Sequence, residues 1–545
     1  MSGWSYSLTI GSLLEYAAQS EPNQIVSYRG KEDLTYSNFR ERSIKLARAL
    51  RHNGLENGNV VAVMDWDSVR YLECYYGIPM SGGVLHTVNI RYPPELILQT
   101  VLHAEDSFLM VRDEFLPMIA PAKDLLAQLK NIVVFSDTGK FERFLPNMME
   151  YEEFISSGEA PLPEISEDMT ATTFYTSGTT GNPKGVSFTH RQIVLHTMAE
   201  MSSINAPPLA ITSSDVIMPL VPMFHVHSWG LPYTSLVKGM KYILPGRYDY
   251  GEILEIIRDQ KVTVSAMVPP ILFMILNHEK AAEILPKAKL RTIIGGGAMS
   301  KGLFAMSRKL GVEALGGYGM SETCPLLTIS VYNNTVQAMP EEERLAFNTT
   351  AGIPVSFVEL RVVDEDGKDV PNDSRSIGEI VARAPWLTSG YVKDPEATRE
   401  LWRGGWLHTG DMAMIDGYGY VRIVDRAKDA VKSGGEFIPT ILLEDHISTC
   451  PGVLEVAVVG KRDEKWGERP VAFVRGSEGL DGNVIRKHLS SLVDQGKISK
   501  FWIPDEFILV SEFEKTSTGK IDKKPLKAKV LYDVRTGYGE RRCIY

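Results

Sequence analysis

Hydrophobic positions along the first two-thirds of the chain alternate between two periods. From Ser37 to Asn53, Phe39, Ile44, Ala47 and Leu50 recur near helical spacing, and Gly54 follows as a stop signal, which predicts a helix. The solid apolar run Val60 to Met64 predicts a buried strand. Leu96 to Leu102 reads as helix, and Phe108 to Val111 and Asn131 to Phe135 as strands. The pattern then repeats. Val216 to Leu220, Val262 to Val268 and Thr292 to Ile294 are strand-like, with helical stretches near Gly251–Gln260 and Lys301–Leu310. Alternating β and α elements predict parallel sheets covered by helices on both faces, here as two layers spanning roughly 1–165 and 170–340. After about residue 350 the texture changes. Glu359 to Val363, Glu379 to Ala382 and Tyr420 to Val424 are short β-rich runs between turns such as Asp366-Gly367 and Asp416-Gly417. Mixed α/β patterning resumes beyond a charged segment, Asp425-Arg426-Ala427-Lys428-Asp429.

Length and charge narrow what this α/β chain can be. Its 545 residues exceed one ordinary domain of about 150 residues. The net charge of −10 argues against a protein that wraps nucleic acid, while leaving room for a local basic site on a phosphorylated ligand. Cys74, Cys324, Cys450 and Cys543 show no CxxC pair and no metal-ligand spacing, so reduced structural thiols and a reducing compartment are expected. The N-terminal stretch lacks a signal-peptide pattern, no run of about 18 apolar residues predicts a membrane span, and Cys543 does not form a CaaX box. Together these predict a soluble cytoplasmic protein.

The most informative stretch is Thr173-Phe-Tyr-Thr-Ser-Gly-Thr-Thr-Gly-Asn-Pro-Lys-Gly185. Thr176, Ser177, Thr179 and Thr180 crowd four hydroxyls around Gly178 and Gly181, and Lys184 adds a point charge. Glycines let backbone N–H groups turn toward an anion, so the loop suits the β- and γ-phosphates of a nucleotide. It is not a Walker A loop, because Lys184 lies between Pro183 and Gly185.

This string resembles the signature loop of the adenylate-forming superfamily, which includes acyl-CoA synthetases, luciferases and peptide-synthetase adenylation domains. Other motifs follow in family order: Gly317-Tyr318-Gly319-Met320-Ser321-Glu322-Thr323, Thr409-Gly410-Asp411, the hinge-like Asp425–Asp429 segment, and Lys515-Thr-Ser-Thr-Gly-Lys520-Ile521. The resemblance implies an N-terminal domain, 1–424, of two doubly wound α/β subdomains plus a β-rich subdomain. It also implies a hinge at 425–428 and a small mobile α+β lid at 429–545. The implied activity is AMP-forming acyl-CoA synthesis. A carboxylate attacks the α-phosphate of ATP, and coenzyme A then takes the acyl group from the adenylate. Alternatives are transfer to a carrier protein or a silent nucleotide sensor.

The resemblance also implies roles. Lys520 would stabilise the charge gathered where two anions meet, Glu322 would hold Mg²⁺, with Thr176 as a weaker candidate, and Lys184 would sit on the phosphates. Thr176 to Thr180, Gly297, Ala298, Met299, Gly317 to Ser321, Arg426 and Lys428 would line the nucleotide site. Asp411 would accept both ribose hydroxyls. Lys432, Ser433, Gly434, Gly435 and Glu436 would form the loop met by coenzyme A, with Phe437 where a phosphate-binding Arg can occur. In Val221-Pro-Met-Phe-His225-Val-His-Ser-Trp229-Gly230, His225 would be the gate, His227 structural, and Trp229 and Gly296 part of the acyl pocket. Trp229 is bulky enough to shorten that pocket, favouring a short or medium acyl chain, although core packing explains it equally well. The segment also resembles that of methylmercaptopropionate and medium-chain acyl-CoA ligases. A homodimer and a monomer both stay open.

Overall fold

The computed structural model describes residues 6–176, 183–426, 430–433, 436–515 and 521–535. Its core is built on two large sheets. The first orders Met148–Glu150, Asn131–Phe135, Asp106–Arg112, Val60–Met64, Val84–Thr87, Thr170–Thr176 and Lys184–Thr189 side by side, parallel except for the last pair. The second runs through nine strands, with Glu313–Gly319, Arg291–Ile294, Val264–Met267, Val216–Ile217 and Lys241–Leu244 along its middle. Strands buried on both faces need continuous apolar sequence, which is why Val60–Met64 and Asn131–Phe135 stood out by pattern and keep their expected bounds.

The helices are amphipathic stretches with local caps. Tyr36–His52 begins at Thr35, whose hydroxyl accepts from the Asn38 amide, and buries Phe39, Leu46, Ala47 and Leu50. Tyr250–Asp259 and Lys301–Lys309 match the expected helices to within a residue or two.

The expected division into layers at about residue 165 needs correction. The hairpin Ile25–Tyr28 and Glu32–Thr35 joins the second sheet, where Ile25–Tyr28 pairs in parallel with Lys241–Leu244. Conversely, Thr170–Thr176 and Lys184–Thr189 complete the first sheet. Each sheet therefore borrows strands from the other half of the sequence. The Val216–Leu220 strand is also shorter than its apolar run: ladder pairing covers Val216–Ile217, and only a bridge from Leu220 to Met267 follows.

A third, four-stranded antiparallel sheet carries Glu359–Val363, Gly378–Arg383, Leu407–Ile415 and Val421–Arg426. A fourth, five-stranded sheet uses only residues after 430, centred on Val453–Asp463 and Gly467–Gly476. Its helix Thr440–Ser448 rests on helix Lys301–Lys309, where the Lys301 amide donates to Asp445 Oδ1 at 2.7 Å. Among the described residues no helix is long and apolar enough to cross a membrane.

Candidate active site

The nucleotide motifs converge at the ends of strands from three sheets. Strand Glu313–Gly319 passes through Gly319, whose Cβ would lie 1.8 Å from the Pro325 carbonyl oxygen, so only glycine permits this close approach. Beside it, the Tyr318 hydroxyl donates to Asp411 Oδ2 at 2.8 Å, and Arg426 Nε sits 3.0 Å from Asp411 Oδ1. Asp411 and Arg426 are paired across the antiparallel ladder, which fixes their spacing by register. Asp411 is buried. Both its oxygens are engaged within the protein, so a sugar hydroxyl would share acceptors rather than find them bare.

Glu322 stands in the short turn Ser321–Thr323 and is also buried. Burial pushes its carboxyl above the usual range, opposed first by a hydrogen bond that the Tyr391 hydroxyl donates to Oε1 at 2.6 Å. Arg426 and Asp411 both act on the charge of Glu322, which makes the two clusters one electrostatic site. Lys184 opens the strand opposite Thr176, its partner in register. The Lys184 ammonium lies 4.7 Å from the centre of the Tyr391 ring and 3.9 Å from Asp394 Oδ2. Among the described residues no three His, Cys, Asp or Glu side chains gather to hold a metal. One buried carboxylate suits a hard cation carried mainly by phosphates, so the residues present fit Mg²⁺ bound with a nucleotide.

The gate segment adopts an unusual backbone. Val226, His227, Ser228 and Trp229 all have positive φ (38°, 58°, 48° and 60°), and Gly230 follows at 82°. Left-handed geometry costs about 1–2 kcal/mol per non-glycine residue, so neighbours must hold it. They do so from the first sheet, from the loop after its Val60–Met64 strand, and from within the segment itself. Met223 N donates to Asp67 Oδ1 at 2.8 Å, Phe224 O accepts from Thr87 Oγ1 at 3.1 Å, and Ser228 Oγ donates to Val221 O at 2.8 Å. His227 is fully buried with Nε2 2.8 Å from Thr172 Oγ1, and burial lowers its pKa to about 3, matching its expected structural role. His225 is half-buried at the start of the turn. The Trp229 ring leans on the loop after Arg291–Ile294: a Cβ at Gly295 would lie 2.8 Å from Trp229 Cη2.

Other expected residues separate by environment. Gly296, Gly317, Met320 and Ser321 are half-buried at the cleft, and Gly297 and Ala298 are exposed. The Met299 side chain packs in the core, so only its backbone can face a ligand. Ser433 is fully buried, with Arg469 Nη1 3.5 Å from its Oγ, while Lys432 is exposed and its amide donates to Glu468 Oε2 at 2.9 Å. Glu436 lies in strand Glu436–Ile438. Ser177, Gly178, Thr179, Thr180, Lys428, Gly434, Gly435 and Lys520 lie outside the described residues.

Two features had not been anticipated. Tyr391 joins Lys184 to Glu322, and its one sequence signal was an aromatic after Ser389-Gly390 ahead of a Pro-started helix. Near the gate, Trp66, Asp67, Arg91, Phe224, Arg247 and Tyr248 line a cavity of about 300 Å³. There the Arg91 guanidinium is 6.0 Å from the Phe224 ring and Arg247 is 5.6 Å from Trp66. Asp67 is buried beneath them with its carboxyl pushed up to about 7.

A half-buried lysine over a tyrosine ring, two buried carboxylates and a left-handed histidine turn thus gather beside the two α/β sheets, an arrangement of the kind found where nucleotides activate carboxylates. Residues 14–392 match the AMP-binding enzyme family, and residues 442–520 match the AMP-binding enzyme C-terminal domain. The chain is 36% identical to a long-chain-fatty-acid–CoA ligase of Thermus thermophilus, covering 90% of this chain and 89% of that one. It is 35% identical to a 3-methylmercaptopropionyl-CoA ligase of Ruegeria lacuscaerulensis, covering 95% and 97%. A medium-chain-fatty-acid–CoA ligase of Ectopseudomonas oleovorans is 34% identical, with 96% of each chain covered. Among solved structures, ATP-bound MatB from Rhodopseudomonas palustris superposes with a TM-score of 0.81 at 24% identity, over 96% of this chain and 99% of that one. The chain belongs to the AMP-binding enzyme family, as an AMP-forming acyl-CoA ligase.

Proposed function

We propose that the enzyme activates a short- or medium-chain carboxylic acid by domain alternation about a hinge at 425–428, with 1–424 as body and 429–545 as lid. In the first half-reaction a carboxylate oxygen bonds to the α-phosphorus of ATP as the bond to pyrophosphate breaks. Lys184 and the loop from Thr176 hold the outer phosphates, and Tyr318, Asp411 and Arg426 hold the nucleoside. Lys520 supplies positive charge where carboxylate and phosphate meet. Glu322 would hold Mg²⁺, which when bound neutralises phosphate charge. In the second half-reaction the thiol sulfur of coenzyme A bonds to the acyl carbon, losing its proton, and AMP leaves, with the Lys432–Glu436 segment turned toward the site. The aromatic- and arginine-lined cavity beside His225 suits the phosphates and base of that cosubstrate.

The observation that carries this reading is the single electrostatic site joining Asp411, Arg426, Glu322, Tyr391 and Lys184. The contact of Trp229 with Gly295 supports a pocket closed at short or medium length; the relatives are named for long-chain, medium-chain and methylmercaptopropionyl substrates alike, so chain length rests on that contact. This reading is the same for a monomer and for a homodimer. A cytoplasmic location is part of this reading, supported by Cys74, Cys324 and Cys450 being buried and free of disulfides. The test is a panel of carboxylic acids with ATP, Mg²⁺ and coenzyme A, scoring AMP and thioester separately. Equal yields of both are expected from C4 to C10 acids. AMP without loss of free thiol would instead point to another acceptor.

A further inference from the structure

A segment absent from the motif reading crosses the phosphate-loop strands and is fastened at every residue. The Tyr391 amide donates to Thr398 Oγ1 at 2.9 Å, and the Val392 amide to Gly185 O at 2.9 Å. Lys393 Nζ reaches Glu105 Oε1 at 2.7 Å and His103 O at 2.9 Å. Asp394 Oδ1 caps helix Pro395–Leu401 by accepting from the Ala397 amide at 2.9 Å. Upstream, the Thr388 amide donates to Glu322 O at 3.0 Å and its hydroxyl to Ser187 O at 3.1 Å.

Within this strap Tyr391 alone touches both charged groups of the site. Its hydroxyl donates to Glu322 Oε1 at 2.6 Å, while the ammonium of Lys184 lies over its ring face at 4.7 Å. A lysine and a carboxylate in a poorly solvated cleft attract strongly, and a direct pair would neutralise both. The Tyr391 side chain contacts both. Its polar edge satisfies the anion and its π face satisfies the cation. Asp394, the carboxylate near Lys184, lies 3.9 Å away and is committed to its helix cap, so it holds the lysine only loosely.

We propose that Tyr391 is a positioning residue that keeps Lys184 and Glu322 apart and aimed at the ligand, preventing their pairing before nucleotide arrives. This rests on the assignment of Lys184 and Glu322 made above, and the experiment separates the two. ATP binding is measured by calorimetry with and without Mg²⁺. Tyr391→Phe keeps the ring and removes the hydroxyl; it is expected to weaken ATP binding about tenfold with Mg²⁺, the size of one hydrogen bond to a charged group, and less than twofold without it. Tyr391→Leu also removes the ring face and should weaken Mg²⁺-free binding severalfold by letting Lys184 turn to Glu322. In a Glu322→Gln background that second loss should vanish, because no anion is left to capture the lysine. A Leu substitution that weakens Mg²⁺-free binding equally in both backgrounds reduces Tyr391 to packing and overturns the proposal. So does a Phe variant that binds like the parent in both conditions. If Lys184→Ala and Glu322→Gln themselves leave ATP binding unchanged, the site assignment falls instead.

Discussion

At the scale of single residues, Trp229 and Gly295 form a matched pair. The indole occupies the space where any side chain at position 295 would stand. Removing the indole should lengthen the pocket by several methylenes, each contributing about 0.8 kcal/mol of transfer free energy to a longer acid. Trp229→Ala is therefore expected to raise kcat/KM for acids two or three carbons beyond the parent optimum by about 15- to 60-fold, measured against a chain-length series. An unchanged profile would remove Trp229 from the pocket. The reading of His227 as structural also resolves at this scale, because a fully buried imidazole between Phe174, Phe188 and Tyr233 has no path to a reacting atom.

At the scale of elements, what was legible depended on how far each partner lay along the chain. Helices and buried strands announce themselves through local period, so Tyr36–His52 and Val60–Met64 emerged nearly whole. Motif residues such as Asp411 and Glu322 were legible because glycines and acids cluster beside them. Tyr391 was not, since its partner Glu322 is 69 residues away and its own loop has no period. The left-handed turn at Val226–Trp229 was equally hidden: one glycine, Gly230, hints at it, and the remaining strain is borne by Asp67, Thr87 and Thr172 from elsewhere. The lid makes a prediction at this level. Lys520→Ala should abolish adenylate formation, followed as ATP–pyrophosphate exchange, yet retain most thioester formation from supplied acyl-AMP. Equal loss in both assays would argue against alternation of the lid between half-reactions.

At the scale of the whole molecule, buried ionisable groups tie stability to pH. Glu200 is buried with Thr234 donating to it, and burial raises its pKa to about 8. Its folded pKa exceeds the unfolded value, so the folded state binds the extra proton and stability falls as pH rises toward 8. His196 and His227 act in the opposite sense: burial lowers both to about 3, so they remove stability as pH falls below the ordinary histidine range. Both proteins carry these histidines, so their contribution cancels in a comparison made from about pH 6.5 upward. From there to pH 8, Glu200→Gln should gain about 2 kcal/mol of stability relative to the parent, seen in urea unfolding as a shallower fall of the midpoint. A parallel pH course for the two proteins would show that Glu200 ionises normally.

The exchange of strands between the two large sheets has a consequence for how the body comes into being. Ile25–Tyr28 leaves the ribosome early but cannot find its neighbour until Lys241–Leu244 has been synthesised. The first sheet likewise stays open at Val84–Thr87 until Thr170–Thr176 arrives. Neither half can therefore mature as an independent unit while the chain is growing. A fragment cut between residues 165 and 170 would carry an orphaned hairpin at one end and a bare parallel strand at the other, both ready to pair with another molecule. Closure of the body therefore comes late, only once synthesis has passed Lys241–Leu244.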